Sequence, residues 1–272
     1  LKISEVQVSV YSHDPAVHDE FVGSAGAHAK TMRALRLLRE RSVFTVLKTP
    51  AMTFNIDTLH ELADLADSVG ADFRVDPLVH PRTNGDPAPL RFLVPPDELK
   101  RKMLADPRLY PAFKGRSAES MCDGSAARAD GDVICSAGRK VVSIAADGTV
   151  LPCASFPIGA GNVREHSLVD IWRRAPLLDE IRRTTFGQLT ACQGCGVKGS
   201  CDPCMAHALI ENGDHRQCNA ASLNLATALR SLAEDRLPLD ARSERGRALP
   251  IAGDTCAPRP DARGKRGCGG GG

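Results

Sequence analysis

The chain of 272 residues has the composition of an ordinary globular protein, with 42% hydrophobic and 25% charged residues, and its 35 basic and 33 acidic side chains give a net charge of +2. This composition excludes a wholly disordered chain, and so small a net charge indicates neither a nucleic acid nor an anionic membrane as partner. Because no apolar run approaches about 18 residues and no secretory signal is visible, we expect a cytoplasmic protein without a transmembrane helix.

Three strand patterns are spaced through the first 80 residues. Valine alternates with other residues over 6–11, which is the period-two pattern of a strand. A second strand is predicted over 42–48, ended by Pro50, and a third over 72–75. The spacing of roughly 30–37 residues between these strands is typical of βαβ units in a parallel sheet.

Helix patterns fill the intervals between the strands. Apolar residues recur on one helical face between Met32 and Leu38. Thr58 and Glu61 form a capping-box pattern at the start of a second helix, which Gly70 is placed to end. A connecting loop over 77–96 and a short helix over 95–104 complete this part of the chain.

Three strands with two helices make about half of an eight-stranded β/α barrel, or part of an open α/β sheet. In both architectures the chemistry lies at the carboxyl ends of the strands, here 9–12, 48–49 and 76–80. The five histidines of this part show no pairing at a metal-binding helical spacing, so we interpret them as packing residues: His13, His18, His28, His60 and His80.

Ten cysteines are the most informative feature of the composition, and none occurs in the first 121 residues. A disulfide scaffold would normally be short and secreted, with cysteines throughout. The asymmetry therefore indicates two domains and metal ligation in the second.

The cysteines of the second part have short, regular spacings. The segments 140–145 and 149–151 flank Asp147-Gly148, which predicts a type I′ hairpin with a cysteine at each base. A further helix is predicted over 205–211. Seven cysteines plus Cys122 make two sets of four, and thiolate sets select either zinc or iron–sulfur clusters, which spacing alone does not separate. The seven are Cys135, Cys153, Cys192, Cys195, Cys201, Cys204 and Cys218.

This spacing resembles the seven-cysteine pattern of SPASM domains, which bind auxiliary [4Fe–4S] clusters and follow a radical S-adenosylmethionine barrel. The one departure is a two-residue interval, Asp202-Pro203, where three residues are usual. The segments 161–163 and 167–172 also resemble the stretch between the cysteine groups of that family. The first part resembles the middle of the radical barrel in peptide-modifying members at Val6 to Ser9, His18-Asp19, Gly23, Gly26, Leu35 and Asn55.

The resemblance implies an α/β fold in which a partial radical barrel precedes a small cysteine-rich SPASM domain with a β-hairpin and short helices. The implied domains are the carboxy-terminal half of the barrel at 1–105, the SPASM domain at 106–225, and a helical end with a disordered tail at 226–272. We expect the two cysteines of that tail, Cys256 and Cys268, to take no part in ligation.

The resemblance also implies the ligand sets. Cys135, Cys153 and Cys204 would hold the first auxiliary cluster, and its fourth position would be filled by Cys122 or an upstream cysteine, or left open as a substrate-facing iron. Ser9 would either meet the ribose of the cofactor or cap a loop. The second auxiliary cluster would be held by Cys192, Cys195, Cys201 and Cys218.

By this resemblance the chain is the carboxy-terminal portion of an enzyme that modifies a peptide or protein by radical chemistry, with electron-donor and peptide-recognition proteins as possible partners. The family's C-x3-C-x2-C loop, which binds a third cluster and S-adenosylmethionine, is absent from residues 1–121, so we expect the chain alone not to cleave that cofactor. Ala154 after Cys153 disfavours formylglycine formation, since sulfatase-maturating relatives have a carboxylate there. The alternative is a non-catalytic iron–sulfur or zinc-binding module.

Overall fold

A computed structural model describes residues 3–106, 108–109 and 129–236 of the chain. Its first half, residues 3–109, contains a parallel sheet of three strands in the order β1-β2-β3. The strands pair in register, with Val6 opposite Thr45 and Val46 opposite Asp72. The strands are β1 (Val6–Ser9), β2 (Thr45–Pro50) and β3 (Asp72–Asp76), and the helices are α1 (Pro15–Val22), α2 (Ala27–Glu40), α3 (Leu59–Val69) and α4 (Pro96–Ala105).

The cysteine-rich half, residues 129–219, contains a three-stranded antiparallel sheet and short helices. A long last helix follows it. The predicted α/β class, with a strand–helix half followed by a cysteine-rich half, is confirmed. The strands are β4 (Ser143–Ile144), β5 (Thr149–Leu151) and β6 (Gly161–Asn162), and the helices are α5 (Leu168–Arg174), α6 (Pro176–Arg183), α7 (Met205–Asn212) and α8 (Ala220–Arg236).

Helix α1 was not expected from the sequence, although a local signal for it exists. The Asp14 side chain accepts a hydrogen bond from the N–H of Ala16 at 2.7 Å, and Pro15 occupies the first helical position. An acidic N-cap followed by proline is a strong helix start. Only eight residues follow before Gly23 ends the helix in a left-handed conformation, so the apolar periodicity that reveals longer helices is too short to recognise.

One predicted boundary and one predicted cap need correction. Strand β2 begins three residues later than predicted because Ser42, at φ 55°, is still part of the turn that ends α2. The capping box at Thr58 and Glu61 does not form. The Thr58 hydroxyl donates instead to the carbonyl of Asn55 at 3.2 Å, and Glu61 pairs with His13 at 3.0 Å.

The predicted hairpin of the cysteine-rich half is confirmed, but its turn is not type I′. That turn would need positive φ at both Asp147 and Gly148, and of these two residues only Gly148 has it, at 89°. The N–H of Gly148 donates to the carbonyl of Ala145, and the N–H of Ala145 donates to the carbonyl of Thr149. The loop is therefore longer than the predicted two-residue turn. It ends at the left-handed Gly148, which lets it join two twisted strands.

Helix α8 completes the core of the first half. It packs along α4, and a hydrogen bond from Lys100 Nζ to Ser231 Oγ at 2.9 Å and an ion pair with Asp235 join the two helices. Helix α8 also crosses the domain boundary that the sequence predicts at residue 225. None of the helices in the described ranges is long and apolar enough to cross a membrane. The buried α8 side chains in the core of the first half are Leu225, Ala228, Leu229, Leu232 and Ala233.

Truncating a core side chain of α8 should destabilise the whole first half. Leu232 is 1% exposed, and Leu232→Ala is expected to lower the free energy of unfolding by about 2–5 kcal/mol because it leaves a cavity in close-packed surroundings. The matched control is Leu37→Ala on α2, whose side chain is 38% exposed and whose loss should cost less than about 1 kcal/mol. Urea unfolding followed by circular dichroism measures both, and equal effects would contradict the packing of α8 on the sheet.

Candidate metal centre

Three of the predicted ligand cysteines converge in the cysteine-rich half. Cys135 precedes the hairpin, Cys153 follows β5, and Cys204 precedes α7. Burial raises the pKa of the Cys204 thiol, and the neighbouring Cys153 and Cys135 thiols raise it further. Burial also raises the pKa of Cys153, with a smaller contribution from Cys135. The three thiols therefore lie within electrostatic range of one another, although up to 69 residues separate them in the sequence.

Backbone hydrogen bonds explain how Cys135 reaches the base of the hairpin. Gly138, at φ 64°, donates its N–H to the carbonyls of both Val141 and Pro152 at 2.9 Å. Its own carbonyl accepts from the Arg182 guanidinium at 2.7 Å. The turn after Cys135 is thus bonded to the residue directly before Cys153.

Two of these sulfurs receive backbone N–H groups. The N–H groups of Ser155 and Phe156 hydrogen-bond to the Cys153 sulfur and partly offset the effect of burial on its pKa. At Cys204 the N–H groups two and three residues further along do the same. Such donors stabilise the charged thiolate, and the thiolate is the form of cysteine that binds a metal. The donor set therefore suits a thiolate-ligated group.

Cys192 and Cys195 form a separate knuckle. A 3-10 turn at Thr190–Cys192 leads into it, Gly194 has φ 75°, and the N–H of Cys195 donates to the carbonyl of Cys192 at 3.3 Å. Burial and the adjacent Cys195 raise the pKa of the Cys192 thiol to about 11. Without a bound cation this thiol stays protonated at neutral pH, so a metal that binds here must displace a proton.

Cys201 and Cys218 both lie near the start of α8. The Cys201 Sγ donates to the carbonyl of Ser222 at 3.9 Å, and the Ser222 hydroxyl donates to the carbonyl of Asp202 at 3.0 Å. Cys218 is disulfide-bonded in this structure, so ligation by its sulfur requires reduction. The Arg230 guanidinium on α8 also donates to the carbonyl of Gly196, directly after the knuckle, at 2.9 Å.

Four predicted positions remain: three cysteines, and Ser9 in the first half. Cys122, Cys256 and Cys268 lie outside the described residues. Within 3–106, 108–109 and 129–236, no group of three His, Cys, Asp or Glu side chains is arranged to hold a single metal ion. Ser9 ends β1 with an exposed side chain at the carboxyl edge of the sheet.

Asn55 fixes this edge of the sheet. It is 1% exposed, and its side-chain amide donates to the carbonyls of Tyr11 and Pro50 at 3.0 and 3.1 Å, while its Oδ1 accepts from the N–H of Met52. One side chain thus connects the segments that follow β1 and β2. The sequence pointed to Asn55 only through the resemblance, and these hydrogen bonds give the physical reason for an asparagine at this position.

Two histidines of the first half, His18 and His28, pack ring edge against ring face with their centroids 5.4 Å apart. His18 is 2% exposed and accepts from the N–H of Tyr11 at 3.2 Å through Nδ1, and burial lowers its pKa. The adjacent Asp19 accepts from the N–H groups of Gly26 and His28 and so supports the start of α2.

Sequence reasoning missed one contact that joins the two halves. The rings of His80, in the loop after β3, and His207, on α7, stack with their centroids 3.4 Å apart and their planes within 3°. Burial and the neighbouring His80 lower the pKa of His207 to about 4, so this ring is neutral at pH 7. A stack of two residues so distant in the chain leaves no periodic signal in the sequence.

Comparisons with known proteins agree with the cysteine pattern. Residues 135–196 match the SPASM family model, described as an iron–sulfur cluster-binding domain. Over 232 residues the chain is 23% identical to an AdoMet-dependent heme synthase of Methanosarcina barkeri, covering 78% of this chain and 65% of that protein. It is 25% identical over 231 residues to the subtilosin biosynthesis protein AlbA of Bacillus subtilis, covering 78% of this chain and 47% of AlbA. The chain thus spans about half to two thirds of the length of these relatives.

The fold is similar to that of a solved protein that binds S-adenosylmethionine. Streptococcus suis SuiB bound to S-adenosylmethionine aligns with a TM-score of 0.55 at 17% identity, over 80% of this chain and 53% of SuiB. SuiB bound to its precursor peptide SuiA aligns equally well, at 16% identity over 79% of this chain and 52% of SuiB. The predicted resemblance to radical S-adenosylmethionine proteins with a SPASM domain is confirmed.

The knuckle should depend on the left-handed backbone at Gly194. A Cβ at this position would meet nothing within 4 Å, so Gly194→Ala isolates the backbone cost of φ 75° and should lower the free energy of unfolding by roughly 1–2 kcal/mol. Gly194→Asn should cost less because asparagine tolerates this conformation.

Gly131→Ala is the matched control. Gly131 has equally open surroundings and no such φ, so its replacement should change the free energy of unfolding by less than about 0.5 kcal/mol. Denaturant unfolding of the reduced chains measures all three variants. A Gly194→Ala chain as stable as the Gly131→Ala chain would show that the knuckle does not need this turn.

Proposed function

We propose that this chain is the carboxy-terminal portion of an enzyme that modifies a peptide or protein by S-adenosylmethionine-dependent radical chemistry. The carrying observation is that the thiols of Cys135, Cys153 and Cys204 lie near one another, the first two of them inside the segment 135–196 that matches an iron–sulfur cluster-binding domain. A peptide substrate is supported by AlbA, by a PqqA peptide cyclase of Granulibacter bethesdensis that is 25% identical over 234 residues, and by the SuiB complex with SuiA.

The cysteines would hold two auxiliary [4Fe–4S] clusters. Cys135, Cys153 and Cys204 would bind the first, and their mutual proximity and the N–H groups directed at two of them support this set. Cys122 would complete it. The second cluster would take the knuckle cysteines together with Cys201 and Cys218, two positions near the start of α8, the same helix whose Arg230 donates to Gly196 directly after the knuckle.

When bound, such clusters accept or pass single electrons, and their potential depends on hydrogen bonds to the sulfurs and on solvent exposure. The N–H groups at Cys153 would stabilise the negative charge of its thiolate. The burial of Cys192 would exclude water from the second site. In the first half, the exposed Ser9 hydroxyl at the carboxyl edge would meet the ribose of S-adenosylmethionine. These thiols keep their ligand form in a reducing compartment, and we place the protein in the cytoplasm with an electron-donor protein as partner.

Iron content tests the proposal and the grouping of the ligands. Chain purified without oxygen should contain about eight irons, for two four-iron clusters. Cys135→Ala and Cys201→Ala should each reduce this to about four irons per chain. The double variant Cys135→Ala/Cys153→Ala should lose no more iron than Cys135→Ala alone, because both residues serve one cluster. Cys135→Ala/Cys192→Ala should lose nearly all of it.

The control is Cys268→Ala, which removes a cysteine that we place outside both sets and should retain all the iron. Iron and zinc are counted by elemental analysis, and circular dichroism shows whether each variant is folded. Stoichiometric zinc without iron would reject the clusters and favour the zinc-binding module. Equal iron losses from Cys201→Ala and Cys268→Ala would reject the ligand assignment.

A further inference from the structure

We propose that a pocket at the carboxyl edge of the parallel sheet binds an apolar, preferably aromatic, side chain of an acidic peptide segment. This inference rests on the proposed function and specifies its substrate class. The pocket has a volume of about 560 Å³, within the range of about 300–1,000 Å³ of small-ligand sites and large enough for one aromatic side chain with its neighbouring backbone. It lies apart from the cysteine ligand sets.

The walls of the pocket all follow the carboxyl ends of strands. Helix α1 follows β1, Met52 and Phe54 follow β2, and Val79 follows β3. A 3-10 helix at Ala88–Phe92 closes the remaining side. Because carboxyl ends of parallel strands meet at one edge, and ligands of α/β sheets bind there, the topology places this pocket where a substrate is expected.

Three phenylalanines form an aromatic wall. The ring centroids of Phe21 and Phe54 are 4.7 Å apart, and Phe92 lies 5.8 Å from each of them. Phe21 is 37% exposed, so apolar surface faces the pocket and is available to an incoming ring. An aromatic guest would add edge or offset contacts to this group, each worth about 0.5–1.5 kcal/mol beyond its burial.

The charges at the rim favour carboxylates beside that ring. Arg82, Arg91 and Glu20 are the charged residues that line the pocket. Arg82 pairs with Asp86 at 3.1 Å. The Arg91 guanidinium lies 4.6 Å above the Phe92 ring and forms no ion pair within the described residues. A guanidinium held against an aromatic face presents its N–H groups to a carboxylate, so an acidic residue next to the bound ring would reach Arg91.

The pocket is connected to the first ligand set. Val79 lines the pocket, and the next residue, His80, stacks on His207. The N–H of His207 in turn hydrogen-bonds to the Cys204 sulfur. A side chain bound in this pocket would therefore lie on the side of the first half that faces Cys204.

Binding of defined peptides to the anaerobically purified chain tests the pocket. The probes are fluorescein-labelled seven-residue peptides of glycine with Phe at the centre between two Glu residues, and matched peptides in which Ala replaces Phe or Gln replaces both Glu. Fluorescence anisotropy should show binding of the Phe-and-Glu peptide at least about tenfold tighter than either matched peptide.

Two variants locate that binding. Ala88→Trp fills the pocket from an exposed position on the 3-10 helix and should abolish the preference for Phe without removing a core contact. Arg91→Gln should weaken binding of the Glu peptide by about tenfold and leave the Gln peptide unchanged. Arg33→Gln, on the exposed face of α2, is the matched control and should change neither.

Equal affinities for the Phe and Ala peptides, or a Phe preference that survives Ala88→Trp, would overturn the inference. Displacement of a bound fluorescent dye from the pocket by heme or by S-adenosylmethionine but not by the peptide would assign the pocket to a tetrapyrrole or to the cofactor instead. Iron is counted on the same preparations. Absent iron with intact peptide binding would reject the proposed function alone, whereas full iron without peptide preference would reject this inference alone.

Discussion

The placement of α8 is the constraint on which the rest of the structure depends. One face of this helix supplies apolar side chains to the core of the first half, and Asn224 on it donates to the carbonyl of Val94 at 2.9 Å. Residues on or beside its first turns bind the cysteine loops, since the Asn219 amide oxygen accepts from the N–H of Cys204 and Ser222 donates to Asp202. The core of the first half and the cysteine framework are therefore held together because one helix packs into the first and is hydrogen-bonded to the second.

The sulfurs are held in surroundings that disfavour their charge. Burial raises the pKa values of Cys153, Cys192 and Cys204, and backbone N–H groups offset only part of this effect at two of them. A bound cation would remove the penalty, so ligation and folding of this half are thermodynamically linked. Because burial raises the pKa of these thiols, their affinity for a metal should depend strongly on pH.

The sequence predicted the elements whose signals are local. The βαβ alternation, the hairpin and the end of α3 at Gly70 all follow from periodicity or from glycine in a left-handed position, at φ 65° for Gly70. The predicted turn type was wrong because Asp147-Gly148 suits both a two-residue type I′ turn and a longer loop that ends in a left-handed glycine, and the longer loop is the one that forms. The cysteine sets came from a family pattern, whereas the stack of His80 on His207 depends on how two halves pack, which no local signal encodes.

The shared helix also sets the order in which the chain can fold during synthesis. The strands of the first half leave the ribosome early, but five side chains of their core belong to α8, more than about 100 residues later. At roughly 5–20 residues per second this delay is on the order of ten seconds. During that interval the nascent sheet exposes apolar surface while the ligand cysteines emerge. The first half thus reaches its native core only after every ligand cysteine named here has been synthesised.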